Sequence, residues 1–178
     1  RIHRHHVTSA VKLRLFKAEC ELLLSLRHPN IVQLVGGSWD VSSGEMCLVL
    51  ELCGRGNLEQ LLASADGRAP FSWETQLLPL AIGVVRGMHY LHSFEPPIAH
   101  RDLKPANVLL AADLTPRVCD MGSAIVLSDD VDGALGVSGS PLYQAPEVLR
   151  REAADESCDV WSFGCVACCL STRSHPYA

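Results

Sequence analysis

The sequence predicts an α+β fold, and three observations carry that reading. An apolar stripe at helical spacing over residues 8–27 gives way to two short apolar and β-branched runs, 31–34 and 46–52. A long helical period then occupies residues 72–92, followed by two further strand-like runs at 108–110 and 117–119. A last helical run covers 159–170. Helical and strand-like runs in one chain indicate a mixed, α+β class.

Composition narrows the class. A chain of 178 residues can bury one good core or build two small lobes, and 48% apolar content makes it globular. The net charge of -5, from 15 basic and 20 acidic residues, gives no nucleic-acid or membrane-surface footprint. The apolar run 77–85 is too short to span a bilayer and is interrupted by Pro79 and Gly83. Residues 1–6 are basic with no apolar run behind them, so they read as a solvated stretch and not as a signal peptide. Most of the 8 cysteines lie inside apolar runs, where free Cys behaves as a small hydrophobe. Together these features predict a reduced, intracellular, cytoplasmic protein. Cys165-x-x-Cys168 has metal-like spacing, but it lies in an apolar helical stretch with no second pair. The histidines His3, His5 and His6 read as part of the solvated basic stretch.

The elements follow in order. In the first helix Phe16, Cys20 and Leu23 recur at i, i+4 and i+7, Glu19 sits at the edge of that stripe, and Pro29 stops the helix. The runs 31–34 and 46–52 read as a hairpin, with Gly36-Gly37 and Ser42-Ser43-Gly44 as turn signals. Gly54-x-Gly56 lacks the third glycine and the strand-to-helix context of a nucleotide fingerprint, so it reads as a flexible exit. A short helix at 57–63 and a loop at 67–70 come next. Ser72 is the expected N-cap of the long helix, with Glu74 in its first turn and Pro79 as a source of bending. Leu77, Ala81, Val84, Met88 and Leu91 hold its core spacing. The strands 108–110 and 117–119, around a turn at Asp113, place Asn107 and Asp120 on adjacent strand ends. Residues 120–147 are rich in Ser, Asp and Gly and read as a mobile loop, and Asp155-Glu156-Ser157 opens the last helix.

The chemistry concentrates in His100-Arg101-Asp102-Leu103-Lys104-Pro105-Ala106-Asn107. Apolar neighbours on both sides bury the ends of this segment, so its polar tips must be satisfied or used. Asn107 and, on the next loop, Asp120 supply an amide and a carboxylate, oxygen donors suited to a divalent cation that also binds phosphates. Asp102 is then free to accept a proton from a substrate hydroxyl.

These residues resemble the protein kinase family. His100-Arg101-Asp102 with Asn107 is similar to the catalytic loop, Asp120-Met121-Gly122 to the metal-binding Asp-Phe-Gly, and Ala145-Pro146-Glu147 to the close of the activation segment. The resemblance implies a two-lobed fold truncated at both ends. Residues 1–52 would be a partial N-lobe (helix C, strands 4 and 5), lacking the first strands, and residues 53–178 a partial C-lobe, lacking the last helices. It implies ATP and Mg²⁺ as cofactors, with Asn107 and Asp120 on the metal. Asp102 would be the base, Lys104 the cation near the transferred group, and Ser140 a bridge between them. Glu51, Cys53 and Leu109 would form the adenine pocket behind a gatekeeper at Leu50. Glu19 would pair with a strand-3 Lys expected at or before Arg1, and Asp159 would hold the catalytic-loop backbone. Leu23, Leu34, Met121 and His100 would form one hydrophobic column, with Met in the place of Phe. Glu147 would pair with an Arg from a later helix. Arg101 would receive a phosphate on the activation segment, first at Ser138 and then at Ser128, while Ser140 stays a fixed hydroxyl.

Asp-Leu-Lys-Pro-x-Asn and Gly139-Ser140-Pro141-x-Tyr143 resemble Ser/Thr kinases, and the Arg27–Val32 and Pro96-Pro97-Ile98 runs resemble the tyrosine-kinase-like group. The implied partner is a protein substrate with a Ser or Thr acceptor, with no nucleic acid and no membrane segment. The chain by itself is expected to be inactive. The competing reading is a pseudokinase-like scaffold or allosteric module.

Overall fold

The structure, a computed structural model, describes residues 2–6, 10–40, 43, 45–63, 72–127 and 139–177. Helix α1 (Ala10–Ser25) packs against an antiparallel sheet in the order β1–β3–β2, formed by β1 (Ile2–His6), β2 (Leu34–Asp40) and β3 (Glu45–Leu50). Phe16, Cys20, Leu23 and Leu26 of α1 are buried with Leu34, Met46 and Leu48 of the sheet. In β3 burial alternates, with Met46 and Leu48 inside and Glu45 and Val49 outside, the period of a strand with one covered face.

Two expectations change here. The first is β1, whose residues pair with β3 from Ile2↔Val49 to His6↔Glu45, where the sequence suggested a solvated stretch. Ile-His-Arg-His-His has no apolar alternation to signal it. A strand added at a sheet edge is held by backbone hydrogen bonds and needs none. The partial sheet therefore has three strands where two were expected.

The second concerns Gly36-Gly37, which lie inside β2 and not at a turn. The register runs from Gly36↔Val49 to Asp40↔Glu45 and shifts between Leu34 and Gly36, leaving Val35 as an extra, exposed residue. A Cβ on Gly37 would lie 3.1 Å from Cys20 Sγ, so the glycine reports a close approach of β2 to α1. Of the residues expected to form the earlier strand, Leu34 opens β2 opposite Leu50 and Gln33 O accepts Glu51 N at 2.9 Å, while those before them also reach Val118. Asn30 O accepts from Val118 N at 2.8 Å and Val32 N donates to Val118 O at 2.9 Å. The run 31–34 therefore joins the sheet to the lower part of the molecule, making a parallel bridge from Ile31 to Val118.

Beyond β3 the chain is mostly helical. Helix α2 (Leu58–Ala63) starts with a capping box: Gln60 N donates to Asn57 Oδ1 at 2.8 Å and Asn57 N to Gln60 Oε1 at 3.1 Å. Ser72 Oγ caps the next helix by accepting from Thr75 N at 3.2 Å. Its first turn, Trp73–Leu77, is a wide π turn, and α3 (Leu78–His92) continues from it with Pro79 in its own first turn. The irregularity expected at Pro79 is found in the turn before it, whose wide geometry accommodates a residue without an N–H. The loop expected at 67–70 and the turn residues Ser42 and Gly44 lie outside the described residues.

Two small ladders carry the chemistry-bearing segments. Strand β5 (Val108–Leu110) pairs with β6 (Pro116–Val118), and β4 (Ile98–Ala99) pairs with β7 (Ile125–Val126). The second ladder corrects the reading of 120–147 as one mobile loop: its first residues form a 3₁₀ turn, Met121–Ser123, followed by β7. Helices α4 (Pro146–Arg150) and α5 (Ser157–Thr172) complete the described chain, and α5 packs against α3.

Candidate active site

The segment 100–107 is fixed from below by one buried carboxylate. Asp159, 1% exposed near the start of α5, accepts His100 N at 2.7 Å on Oδ2 and Arg101 N at 2.8 Å on Oδ1. His92 Nε2, at the end of α3, lies 3.0 Å from the same Oδ2. Burial pushes this carboxyl up, but the His92 hydrogen bond, the His100 charge and the two backbone N–H groups outweigh it and hold the pKa below the ordinary 3.8. These bonds support a left-handed Arg101, φ 66°, which costs a non-glycine residue of order 1–2 kcal/mol. The turn reverses the chain after His100 and leaves Asp102 facing the activation segment. The sequence suggested Asp159 through family resemblance. His92 was missed, since nothing local links it to a residue 67 positions away.

Both carboxylate oxygens of Asp102 accept hydrogen bonds, and Oδ1 keeps a free acceptor position. Oδ2 accepts from Lys104 Nζ at 2.7 Å and Asn107 Nδ2 at 3.0 Å, and Oδ1 accepts from Ser140 N at 2.8 Å. Lys104 Nζ also donates to Ser140 Oγ at 2.7 Å, so the expected bridge of Ser140 between Asp102 and Lys104 is present. The close docking needs a glycine before Ser140. Gly139 has φ 103°, and a Cβ there would sit 2.6 Å from Arg101 O.

Asn107 is oriented by the same group. Its Nδ2 donates to Asp102 O at 2.9 Å as well as to the carboxylate. Both partners are acceptors, so the nitrogen must face them and Oδ1 must face away. Cys119 N donates to Asn107 O at 3.0 Å, which sets Asn107 beside the end of β6 and next to Asp120. Asp120 has φ 66°, and its side chain turns back on Gly122 N through a long 3.4 Å contact, leaving an exposed carboxylate. Two oxygen donors on adjacent strand ends suit a hard divalent cation, and they fit Mg²⁺, which needs one or two protein oxygens beside phosphates.

A cleft of about 360 Å³ opens above these atoms, within the range of small-molecule sites. It brings together Glu19, Glu51, Cys53, Asn107, Leu109 and Asp120, every residue the sequence assigned to the cofactor or the metal. Val32, Leu48 and Leu50 wall it from the sheet, and Gly56 and Gln60 from α2 and its approach. Asp102 and Lys104 stand beside it, joined through Asn107. The Glu51 side chain is engaged, with Oε1 accepting Gln33 N at 2.8 Å and Oε2 lying 3.4 Å from Arg117 Nε, and its N–H donates to Gln33 O at 2.9 Å. Burial pushes the Cys53 thiol up, and the Glu51 charge adds to it.

Glu19 and Asp120 flank Gly122. A Cβ on that glycine would be 3.3 Å from Asp120 Oδ1 and 3.9 Å from both Glu19 oxygens. Burial raises the Glu19 carboxyl, and the Asp120 charge raises it further. Among the described residues no Lys or Arg makes an ion pair with Glu19. Behind them Leu23, Leu34, Met121 and His100 are all buried, and His100 Nε2 meets Cys119 O at 3.0 Å. Ser138, Ser128 and Arg1 lie outside the described residues.

Comparison with known proteins agrees with this geometry. The family described as "Protein kinase domain" matches residues 2–178. Serine/threonine-protein kinase CTR1 of Arabidopsis thaliana is 36% identical over 168 residues, covering 94% of this chain and 20% of that protein. Dual specificity testis-specific protein kinase 1 of Homo sapiens is 41% identical over 162 residues, 87% of this chain and 25% of that protein. A putative serine/threonine-protein kinase/receptor, R826, of Acanthamoeba polyphaga mimivirus is 33% identical over 161 residues, 90% of this chain and 9% of that protein. The chain thus spans a quarter or less of the length of these relatives. No helix among the described residues is long and apolar enough to cross a membrane. With one family matching nearly every residue, the chain belongs to the protein kinase domain family.

Proposed function

We propose that this chain carries the phosphoryl-transfer centre of an ATP-dependent protein serine/threonine kinase. The observation that carries the reading is the single hydrogen-bonded group made by Asp102, Lys104, Asn107 and Ser140 at the mouth of a cleft that contains Asp120. Phosphoryl transfer is mainly positioning and charge neutralisation, and this group supplies both. Asp102 orients the acceptor hydroxyl and takes its proton. Lys104, already beside Asp102, places a positive charge next to the transferred group. Asn107 Oδ1 and Asp120 hold Mg²⁺, which neutralises phosphate charge when bound. Leu109 and the backbone at Glu51 and Cys53 receive the adenine. In keeping with the family resemblance, residues up to 52 act as the upper lobe and residues from 53 as the lower.

Ser/Thr acceptors are favoured by Lys104 and by the names of most of the similar proteins, although one is named as a dual-specificity kinase. A second reading, a scaffold that binds without transfer, draws on Glu19, which has no Lys or Arg ion pair among the described residues. Incubating the full-length protein with Mg²⁺, γ-labelled ATP and mixed Ser, Thr and Tyr peptides separates the two. Label on Ser or Thr that disappears in Asp102→Asn supports the transferase; nucleotide binding with no label on any peptide supports the scaffold.

A further inference from the structure

Asp159 holds the turn at Arg101 through two backbone N–H groups, but those groups belong to the segment it positions. A carboxylate held by them alone would be free to turn with the loop, since the last torsion of Asp is broad. His92 supplies a bond from outside that segment. Its Nε2 lies 3.0 Å from Asp159 Oδ2, the oxygen that also accepts His100 N. Among the described residues no other side chain bonds this carboxylate. The carboxylate only accepts, so Nε2 carries the proton, and the neutral ring in that tautomer donates as the charged ring does.

The helix that carries His92 is a suitable reference for the site. Helix α3 packs on α5, on β4 directly before His100, and on β6, which leads to Asp120. Its last turn closes without the His92 side chain: Ser93 N and Ser93 Oγ both donate to His89 O, at 2.9 and 2.6 Å. The imidazole, with 17% of its surface exposed, is therefore not needed to end the helix and is spent on Asp159.

We propose that His92 is a positioning residue for phosphoryl transfer: from the end of α3 it locks the Asp159 carboxylate, and through it the turn that presents Asp102. The proposal rests on the transferase reading above. The placing of Asp102 against Asp120 then depends on α3 as well as α5. Misplacement of a reacting group costs rate, while the nucleotide contacts stay as they were.

The test uses the full-length protein, a Ser-acceptor peptide and two substitutions. His92→Phe keeps a ring and removes the donor; His92→Gln keeps an amide N–H at similar reach. In His92→Phe kcat should fall by about tenfold, the factor of one hydrogen bond to a charged group. KM for ATP should stay within about twofold, because His92 does not line the nucleotide cleft. His92→Gln should regain most of the loss. In an Asp159→Asn background His92→Phe should cost little more, since both act through one carboxylate. An unchanged kcat in His92→Phe, equal losses in His92→Phe and His92→Gln, or losses that add to that of Asp159→Asn overturn the proposal and leave the kinase reading intact. If His92→Phe does not fold, His92→Ala takes its place; if neither folds, the residue serves folding alone and the proposal is overturned. If the unsubstituted protein phosphorylates no peptide, the kinase reading itself has failed and amide hydrogen exchange decides. Faster exchange at Arg101 N–H in His92→Phe, restored in His92→Gln, supports the positioning role. Unchanged exchange overturns it.

Discussion

Asp159 and Arg101 lie 58 residues apart, yet the carboxylate of the first holds the backbone N–H of the second at 2.8 Å, while Arg101 keeps a left-handed φ of 66°. The α5 helix thus sets the turn that presents Asp102. Asp159→Asn keeps an oxygen for one of the two N–H groups and turns an amide nitrogen toward the other. One buried unsatisfied donor costs about 1–3 kcal/mol, and for a chain of this size each kcal/mol lowers Tm by about 2–4 °C. The effect depends on pH in a definite direction. The folded-state carboxyl titrates below the ordinary 3.8, so its contribution is complete above that pH and is lost as pH falls through the lower folded-state value. Thermal melts should show a constant gap between wild type and variant from pH 8 down to about 5, closing only in strong acid. A gap that narrows between pH 8 and 5 would show that the Asp159 carboxylate does not carry the coupling.

Asp102→Asn and Ser140→Ala should separate chemistry from support. The first removes the proposed proton acceptor and turns an amide toward Lys104 Nζ or Ser140 N, so kcat should fall by about 10²–10⁴. Affinity for ATP should barely change, because Asp102 does not line the nucleotide cleft. The second removes one acceptor of Lys104 but leaves the backbone bond from Ser140 N to Asp102 in place. One lost hydrogen bond of about 1 kcal/mol predicts a loss of about fivefold. Ser140→Thr keeps the hydroxyl and should restore most of it. Steady-state kinetics on all three decide; equal losses for Ser140→Ala and Asp102→Asn would contradict this division.

Two helical glycines should respond to alanine with opposite signs. A Cβ on Gly87 of α3 would lie 2.7 Å from Asn30 O and 3.3 Å from Val118 Cγ2, backbone and core that cannot withdraw. Gly87→Ala should therefore destabilise by about 1–3 kcal/mol. On α5, a Cβ on Gly164 meets nothing within 4 Å, and Gly164→Ala should stabilise by about 0.5–1 kcal/mol through helix propensity. Urea denaturation of the two variants measures both. Stabilisation by Gly87→Ala would mean that α3 does not approach residues 30 and 118 as described.

What the sequence made legible, and what it hid, divides by the range of the interactions. Phe16, Cys20 and Leu23 announced α1 because helical spacing is local, and Ser72 announced its cap for the same reason. The Asp102, Asn107 and Asp120 group was legible because a short segment and one neighbouring turn hold all three. Strand β1 was not, because an edge strand is stabilised by another strand's backbone and its own residues need carry no pattern. The Gly36-Gly37 pair was misread for a related reason. A glycine that admits a turn also admits a neighbouring side chain, and only the packing of Cys20 distinguishes the two. His92 depends on a contact across 67 residues, which no local pattern records.

Asp120 combines two requirements that different substitutions can pull apart. Its backbone is left-handed, φ 66° and ψ 75°, and its carboxylate is exposed at the cleft beside Asn107. Asn tolerates that backbone region better than other L residues. Asp120→Asn should therefore leave stability within about 0.5 kcal/mol, while Asp120→Ala should cost about 1–2 kcal/mol from strain alone. Toward the cation the order is different. Asn keeps an oxygen but no charge and Ala keeps neither, so both should weaken Mg²⁺-dependent nucleotide binding, by about tenfold or more if one charge-assisted contact is worth 1.5–3 kcal/mol. Removal of Mg²⁺ with chelator should abolish the difference between wild type and Asp120→Asn. Calorimetric titration of the full-length protein with ATP, with and without Mg²⁺, provides the measurement beside the melts. If Asp120→Asn bound Mg-ATP as tightly as wild type, the carboxylate would have no part in holding the metal, and Asn107 would have to do so with other groups.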